Sequence, residues 1–431
     1  MKKNVFRLLI ITLAVILASS LFASCKLTED EEEPEVLPGL TVVMTSKNVD
    51  ITLYDFGQSY RSNDYYQYVT YGLIGAEDYC NYVIEDLSTF MYILNAAYDD
   101  GFELTADEYA EITDSINQQL EQILQGYESQ LPEGTEDKRA EAIKLLNEDI
   151  VSEGVDYETL VELAIQNLCM YRLADKYYQS ISSSVTVTED DVKAYINELF
   201  INQRASSMSE FGANMNAYYS QGSPCPVYIP EDCFSVNHIF LEFNTLDSGD
   251  GKTVYDKTSK QEKEALIESL LPDADGFDGF MELVRLHGED PGMSDDTYKE
   301  NGYLIHGDLD KDYFPGFVYA AMNLHDGEWT PAEDAEYEIP ELTYFTLKDG
   351  TRVVKVYSEM GVHYIIINKE YQKGRTEYEI GDAKWLSWET AVNDRKLDER
   401  FTELSEIWHQ KYEINVDFDT IYKKFVTKTE N

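Results

Sequence analysis

Apolar positions recur every three or four residues from about residue 45 to 222, which predicts a series of long amphipathic helices. Residues 76–97 form one, dense in Tyr, Phe, Leu and Met. A second spans 105–131, opened by Thr105 with Glu108 three positions on, a pairing that caps a helix N-terminus reciprocally. A third covers 157–180. A fourth begins after Thr188, an N-cap followed by Glu189, Asp190 and Asp191, whose charges suit the positive end of a helix. The same period returns over 382–412, trailed by a short extended segment at 413–416. Between these stretches the pattern changes. Val236-Asn237-His238-Ile239-Phe240-Leu241 and Gly361-Val362-His363-Tyr364-Ile365-Ile366 are β-branched and aromatic runs that read as buried strands. The residues between them supply a helix over 273–288, a turn at Glu289-Asp290-Pro291-Gly292, a glycine-led strand over 301–305, a short helix over 318–324 and a turn at 326–328. Together these elements make an α+β domain of ordinary size.

The two strands also carry the first candidate chemistry. Histidine occurs six times in 431 residues, yet two copies sit in matching apolar runs. A histidine within a strand must satisfy two ring nitrogens away from water, and a second histidine across the sheet is a natural partner. The bland alternative is two unrelated core histidines. Asp290 puts a carboxylate at the end of the 273–288 helix, where an Asp before Pro-Gly can equally be a turn residue.

The ordered motifs VNHIFL, HGEDPG, NGYLI, FVYAAMNLHDG and GVHYIII resemble the parvulin family of peptidyl-prolyl isomerases over about residues 228–372. The resemblance implies an active-site pair at His238 and His363, with the acidic or thiol position at Asp290. It implies a proline pocket of Leu304, Tyr313 or Phe314, and Phe317, with Met322 where a second aromatic is usual. Departures are plain. Asn301 and Ile305 replace two glycines, Met360 replaces a small hydroxyl residue three positions before the second histidine, and an insertion at about 332–348 precedes the last strand. The helical phrases DDGFELTADEYAEI and VTVTEDDVKAYINE resemble exported parvulin-containing foldases of the PrsA and SurA types. In those, N- and C-terminal helices form one chaperone domain with the isomerase module inserted. The implied layout is a helical domain at 41–225, an isomerase-like α+β domain with a small antiparallel sheet at 226–372, and a C-terminal helix at 373–431 completing the first.

The N-terminus supplies an address. Lys2, Lys3 and Arg7 precede an apolar run over 8–22, shorter than the roughly twenty residues of a spanning helix. Leu21-Phe22-Ala23-Ser24-Cys25 resembles a bacterial lipobox, which implies cleavage after residue 24 and lipid attachment at Cys25; an ordinary secretory signal is the alternative. Residues 25–40, with Glu29 to Glu33 all acidic, read as a solvated tether. The net charge of −48 argues against nucleic acid and anionic lipid surfaces as partners, and membrane contact is expected through the anchor alone. Unfolded secreted proteins containing proline are the expected partners. Cys225 and Cys233 bracket a Pro-rich stretch and are candidates for a disulfide in an oxidising exterior, whereas Cys80 and Cys169 lie in apolar helical patterns as buried thiols. No CxxC spacing occurs, so no metal is expected, and prolyl isomerisation implies no cofactor. Two functions follow as expectations: a lipid-anchored foldase that isomerises X–Pro bonds, or a catalytically silent holdase that binds unfolded exported clients. A solute-capturing lipoprotein is disfavoured, because the chain lacks an alternating βα pattern.

Overall fold

The structure, a computed structural model, describes residues 38–247, 253–305, 314–327, 329 and 339–426. The signal segment, Cys25, most of the acidic tether and Tyr313 lie outside the described residues. Contacts divide the chain into two compact units, one reaching Thr186 and resuming at Lys396, the other spanning Val187–Arg395. In chain order the first unit contributes β1 (Val42–Thr45), β2 (Asp50–Thr52), α1 (Leu53–Ser62), α2 (Tyr66–Thr70), α3 (Ala76–Asp99), α4 (Ala106–Gln130), α5 (Lys138–Ile150) and α6 (Tyr157–Ser184). The second unit follows with α7 (Glu189–Gln203), α8 (Met208–Gln221), β3 (Tyr228–Ile229), β4 (Cys233–Glu242), β5 (Asn244–Asp247) and β6 (Thr253–Asp256). It continues with α9 (Gln261–Leu270), α10 (Gly276–His287), α11 (Asp296–Asn301), β7 (Tyr303–Ile305), α12 (Pro315–Asp326), β8 (Thr343–Thr346), β9 (Arg352–Tyr357), β10 (Gly361–Tyr371) and β11 (Gly374–Arg375). Helix α13 (Ala383–Lys411) then carries the chain on to β12 (Asn415–Val416) and α14 (Phe418–Phe425).

The first unit is a helical assembly closed by a three-stranded sheet. Its long helices begin where the caps predict: Thr105 accepts the Glu108 N–H while Glu108 accepts the Thr105 N–H at 2.7 Å. The same reciprocal box opens α1 at Thr52 and Asp55. Phe56, Tyr79, Met91, Leu94 and Ala174 are fully buried in one core, and Leu397 and Trp408 of α13, with Tyr412 just beyond it, enter it from the far end of the sequence. The extended segment expected at 413–416 contributes β12, which pairs antiparallel with β1 through Met44 and Val416. Both ends of the described chain therefore build one hydrophobic core.

The second unit is organised by an antiparallel sheet in the order β7-β4-β10-β9-β8. Its two faces are both covered. On one, Ile239, Leu241, Val353, Val362, Tyr364 and Ile366 pack beneath α9 and α10; on the other, Phe234, Val236, Val354, Val356 and Ile365 pack beneath α12. The unit also takes in α7, α8 and α13 as far as Arg395, because Ile196, Val227 and Trp388 share a buried cluster. The α+β class follows from these helices and antiparallel sheets. Cys225 and Cys233 are free thiols rather than a disulfide, since one packs beside Trp385 and Trp388 and the other beside Met208 and Phe211. Cys80 is buried, whereas Cys169 is only half-buried.

Helix α9 is tied to the sheet by an ionic cluster. Lys355 Nζ lies 2.7 Å from both Glu264 and Glu268, Tyr357 donates to Glu264 at 2.6 Å, and Tyr364 donates to Glu268 at 3.2 Å. Lys355 and Glu264 are each nearly excluded from solvent, so deleting one partner strands the other's charge. Lys355→Met is expected to lower unfolding free energy by about 3 kcal/mol in a urea titration of the full chain. Adding Glu264→Leu and Glu268→Gln is expected to restore most of that loss; a triple variant no more stable than the single one contradicts this reading.

Candidate active site

The register of β4 against β10 decides where the histidines go. His238 stands opposite Ile365, and His363 stands opposite Phe240. Diagonal neighbours in an antiparallel pair share a face, so the two imidazoles project together onto the α12 side. Their Nδ1 atoms are 3.1 Å apart and their ring planes incline by 18°. Gly361 makes this closeness feasible at the end of β10, because a Cβ there would sit 2.3 Å from the Leu241 carbonyl oxygen and 2.4 Å from the Phe240 ring.

Asp290 arrives from the other edge of β4. Strand β7 pairs only with Phe234, Ser235 and Val236, and beyond it the edge is taken by Glu289. The Glu289 N–H donates to the Phe240 carbonyl at 2.8 Å, while the Glu289 carboxylate accepts from the Glu242 N–H and from Lys260 and Lys263. With Glu289 so held, the next residue is delivered beside His238. Asp290 Oδ2 lies 2.6 Å from His238 Nε2, and it also accepts from the Tyr303 hydroxyl at 2.8 Å; Oδ1 accepts from the Gly292 N–H at 3.0 Å. Tyr303 is placed by Asn237, whose amide donates to the last carbonyls of α11, and by Gly302 at φ +73°, where a Cβ would meet the Val236 carbonyl at 2.8 Å.

The electrostatics give this array a direction. Burial raises the Asp290 carboxyl, but the His238 ring and the Tyr303 and Gly292 donors outweigh it and hold the group down at about 2. An ionised Asp290 requires the proton on His238 Nε2. His238 Nδ1 faces His363 Nδ1 at 3.1 Å, and His363 Nε2 lies 3.1 Å from the Ser358 hydroxyl, which also reaches the Gly361 carbonyl at 3.1 Å. Ser358 Oγ in turn accepts from the Gly361 N–H at 3.0 Å. Every ring nitrogen thereby has a hydrogen-bonding neighbour. Burial, reinforced by the neighbouring His238, pushes the His363 ring well below its ordinary value, with Asp290 acting weakly the other way. Aromatic rings close around the pair. Phe317 meets His238 and His363 edge-on at 5.1 and 5.4 Å, and Phe240 stacks on His363 at 4.7 Å. The Asp290 end is the more solvent-reached part, its side chain 16% exposed against 8% for His238.

The structure thus brings His238, His363, Asp290 and Phe317 together, and Met322 is buried in the apolar cluster that contains Phe317. Phe314 is partly exposed, its ring lying against Gly316, where a Cβ would come within 2.6 Å of it. Leu304 is a correction. It pairs with Ser235 and therefore points to the face opposite the histidines, against Met208, Phe211 and Met215 of α8. Its neighbour Tyr303 reaches the site instead. The hydroxyl lost at Met360 is another, for Met360 is exposed and Ser358, two residues earlier, supplies the oxygen. Tyr303, Ser358 and Phe240 escape a reading by motif spacing; counting two positions on from His238 points to Phe240, whereas Tyr303 needs the pairing of β7 with β4. Among the described residues, no cluster of His, Cys, Asp or Glu could hold a metal ion, and no helix is long and apolar enough to cross a membrane.

No family model matches the chain, and no curated protein matches it. Among solved structures it is similar to the 1.70 Å crystal structure of peptidylprolyl isomerase (PrsA) from Bacillus anthracis, at 13% sequence identity and a TM-score of 0.16. That match covers 76% of this chain and 96% of the other. At such a score the overlap adds nothing to the site, whose chemistry rests on its own distances.

A buried neutral histidine links stability to pH. His363 has a depressed folded value, so below its ordinary value near 6.5 the unfolded chain binds the extra proton and stability falls as pH falls. The expected slope from this one residue is at most about 1.4 kcal/mol per pH unit. Urea midpoints of the parent and of His363→Phe, measured from about pH 7 down to about pH 5, are expected to converge as the medium acidifies. Parallel curves would show that His363 protonates freely in the folded state. Asp290 adds a second loss at lower pH, between its unfolded value near 4 and its folded value of about 2.

Proposed function

We propose that this chain is an exported foldase that accelerates cis–trans isomerisation of X–Pro bonds in secreted polypeptides, with His238, His363 and Asp290 as its polar centre and Phe317 and Met322 as its apolar wall. The observation that carries the reading is the continuous hydrogen-bonded array from Ser358 through both imidazoles to Asp290, set beside the Phe317 ring. In this reading residues 226–372 are a parvulin-like isomerase module. The N- and C-terminal helical segments act as its chaperone part.

The chemistry asks little of side-chain reactivity. No bond is cleaved, and the barrier of roughly 18–20 kcal/mol is the resonance lost when the C–N bond twists. The uncatalysed step takes tens of seconds or longer and limits folding of proline-containing chains. A catalyst must favour the twisted amide over both planar isomers. An apolar wall takes the pyrrolidine ring, and the Asp290 carboxylate supplies a fixed field beside the turning amide. The imidazole pair keeps that carboxylate ionised and immobile, and neither ring needs to exchange protons during turnover.

A proline-tetrapeptide isomerisation assay on the full chain, its leader removed, is expected to show acceleration over buffer. Asp290→Ala is expected to lower kcat/KM by about 10- to 100-fold. Tyr303→Phe, which removes one donor to that carboxylate, is expected to lower it by about fivefold. A parent no faster than buffer removes the enzymatic claim and leaves a holdase.

The address belongs to the same proposal: lipidation at Cys25 would hold the protein on the outer side of the cell membrane. Detergent-phase partitioning of the expressed full chain is expected to shift to the aqueous phase on Cys25→Ala. Unchanged partitioning would refute the anchor.

A further inference from the structure

The first unit carries a set of aromatic rings that its own core does not use. Helix α2 is amphipathic: Tyr66 and Val69 turn inward against the buried cluster, while Tyr65 and Tyr68 turn outward. Tyr71, 74% exposed, and Leu73, 70% exposed, extend the outward face around the left-handed turn at Gly72. Tyr82 of α3 joins it. Its ring meets Tyr65 edge-on at 5.5 Å and stacks on the fully buried Tyr79 at 6.3 Å, and Tyr65 stands 6.0 Å from Tyr68. The surface rings are thus braced by one that belongs to the core.

The sequence that builds this face is one-sided in charge, and Arg61, which precedes it, is paired with Glu153. From Ser62 to Asp137 the sequence holds seventeen Asp and Glu and not one Lys or Arg. Asp64, Glu77, Asp78 and Glu85 flank the tyrosines, all exposed, and none has a cation within ion-pair distance among the described residues. Further along the same stretch acids are neutralised by cations from outside it, as Asp99 is by Lys47 and Lys411 and Glu108 by Lys176. An aromatic face in an uncompensated negative field attracts cations, which also sit favourably over tyrosine rings. The same field repels nucleic acid, anionic lipid and a second copy of this chain, whose net charge is −48.

We propose that this tyrosine face captures unfolded polypeptide segments in which Lys or Arg lie beside apolar residues. The identification of the partner as an unfolded client rests on the foldase reading; the ring-and-cation recognition does not. The test is fluorescence anisotropy with the full chain and a labelled, unstructured, proline-free peptide carrying several Arg and two Phe, beside its Arg→Glu counterpart. Because the probe lacks proline, failure of prolyl catalysis leaves the outcome untouched. The Arg peptide is expected to bind at least about tenfold more tightly than the Glu peptide, and to weaken as salt is raised. Tyr65→Ser/Tyr68→Ser/Tyr71→Ser is expected to weaken it about fivefold or more, whereas Tyr65→Phe/Tyr68→Phe/Tyr71→Phe retains most of the affinity. Tyr109→Ser, an exposed tyrosine outside the face, serves as the matched control and is expected to change nothing. Equal affinity for the two peptides, or an undiminished triple Ser variant, overturns the proposal. Circular dichroism of the triple Ser variant separates loss of the face from loss of the fold.

Discussion

The antiparallel register of β4 against β10 is the constraint from which the candidate site follows. A one-residue slip would send His238 and His363 to opposite faces, because side chains alternate along a strand. Hydrophobic patterning cannot forbid that slip here, since both faces of the sheet are buried and apolar. The turn does. Ser358 and Gly361 exchange backbone and side-chain hydrogen bonds across the β9–β10 connection, and Gly361 occupies a place where any Cβ would collide with Leu241 and Phe240. Ser358 thereby closes the turn and presents its hydroxyl to His363. Register and hydrogen-bond network are set by the same few atoms.

The second constraint is the handling of negative charge. Near the sheet, carboxylates are individually answered: Glu289 by Lys260 and Lys263, Glu264 and Glu268 by Lys355, Asp290 by His238 and Tyr303. Two of these answers position the site directly, for Glu289 holds the loop that delivers Asp290. In the stretch from Ser62 to Asp137 the chain spends no cation at all. The negative charge is therefore not a uniform coat: acids of that stretch are answered only by cations from outside it, as Asp99 is by Lys47 and Lys411, and others stand unpaired among the described residues.

What was legible in the sequence follows the physics of each signal. Long helices announce themselves through period and caps, so α3, α4, α6 and α13 fall within a few residues of expectation. The two histidine strands were visible as apolar runs, and Asp290 as the acid at a helix-ending turn. The ten-residue α1 and the short strands β1 and β2 were too brief for periodicity to register. Leu304 and Tyr303 show the limit most clearly. Both fit an apolar strand, and only the pairing of Val236 with Tyr303 decides which one faces the histidines. The Cys225 and Cys233 thiols show a different limit, since closeness in sequence said nothing of the separate clusters into which β3, β4 and α13 fold them.

Isomerising a peptide bond and holding an unfolded chain place opposite demands on side chains. The first needs polar groups fixed before the substrate arrives, and a buried hydrogen-bonded array meets that need at little reorganisation cost. The second needs exposed groups that gain contact without losing much freedom, and tyrosine, with few rotatable bonds and a polar tip, suits it. The sheet unit has histidines at 6% and 8% exposure tied into one network; the helical unit has tyrosines in the open beside unneutralised acids. One residue set cannot serve both purposes, because exposing the imidazole pair would release its network and burying the tyrosines would extinguish the surface. Separation of the two chemistries into different units is thus what the proposed foldase would require, and under that proposal either capacity would be lost by substitution without the other.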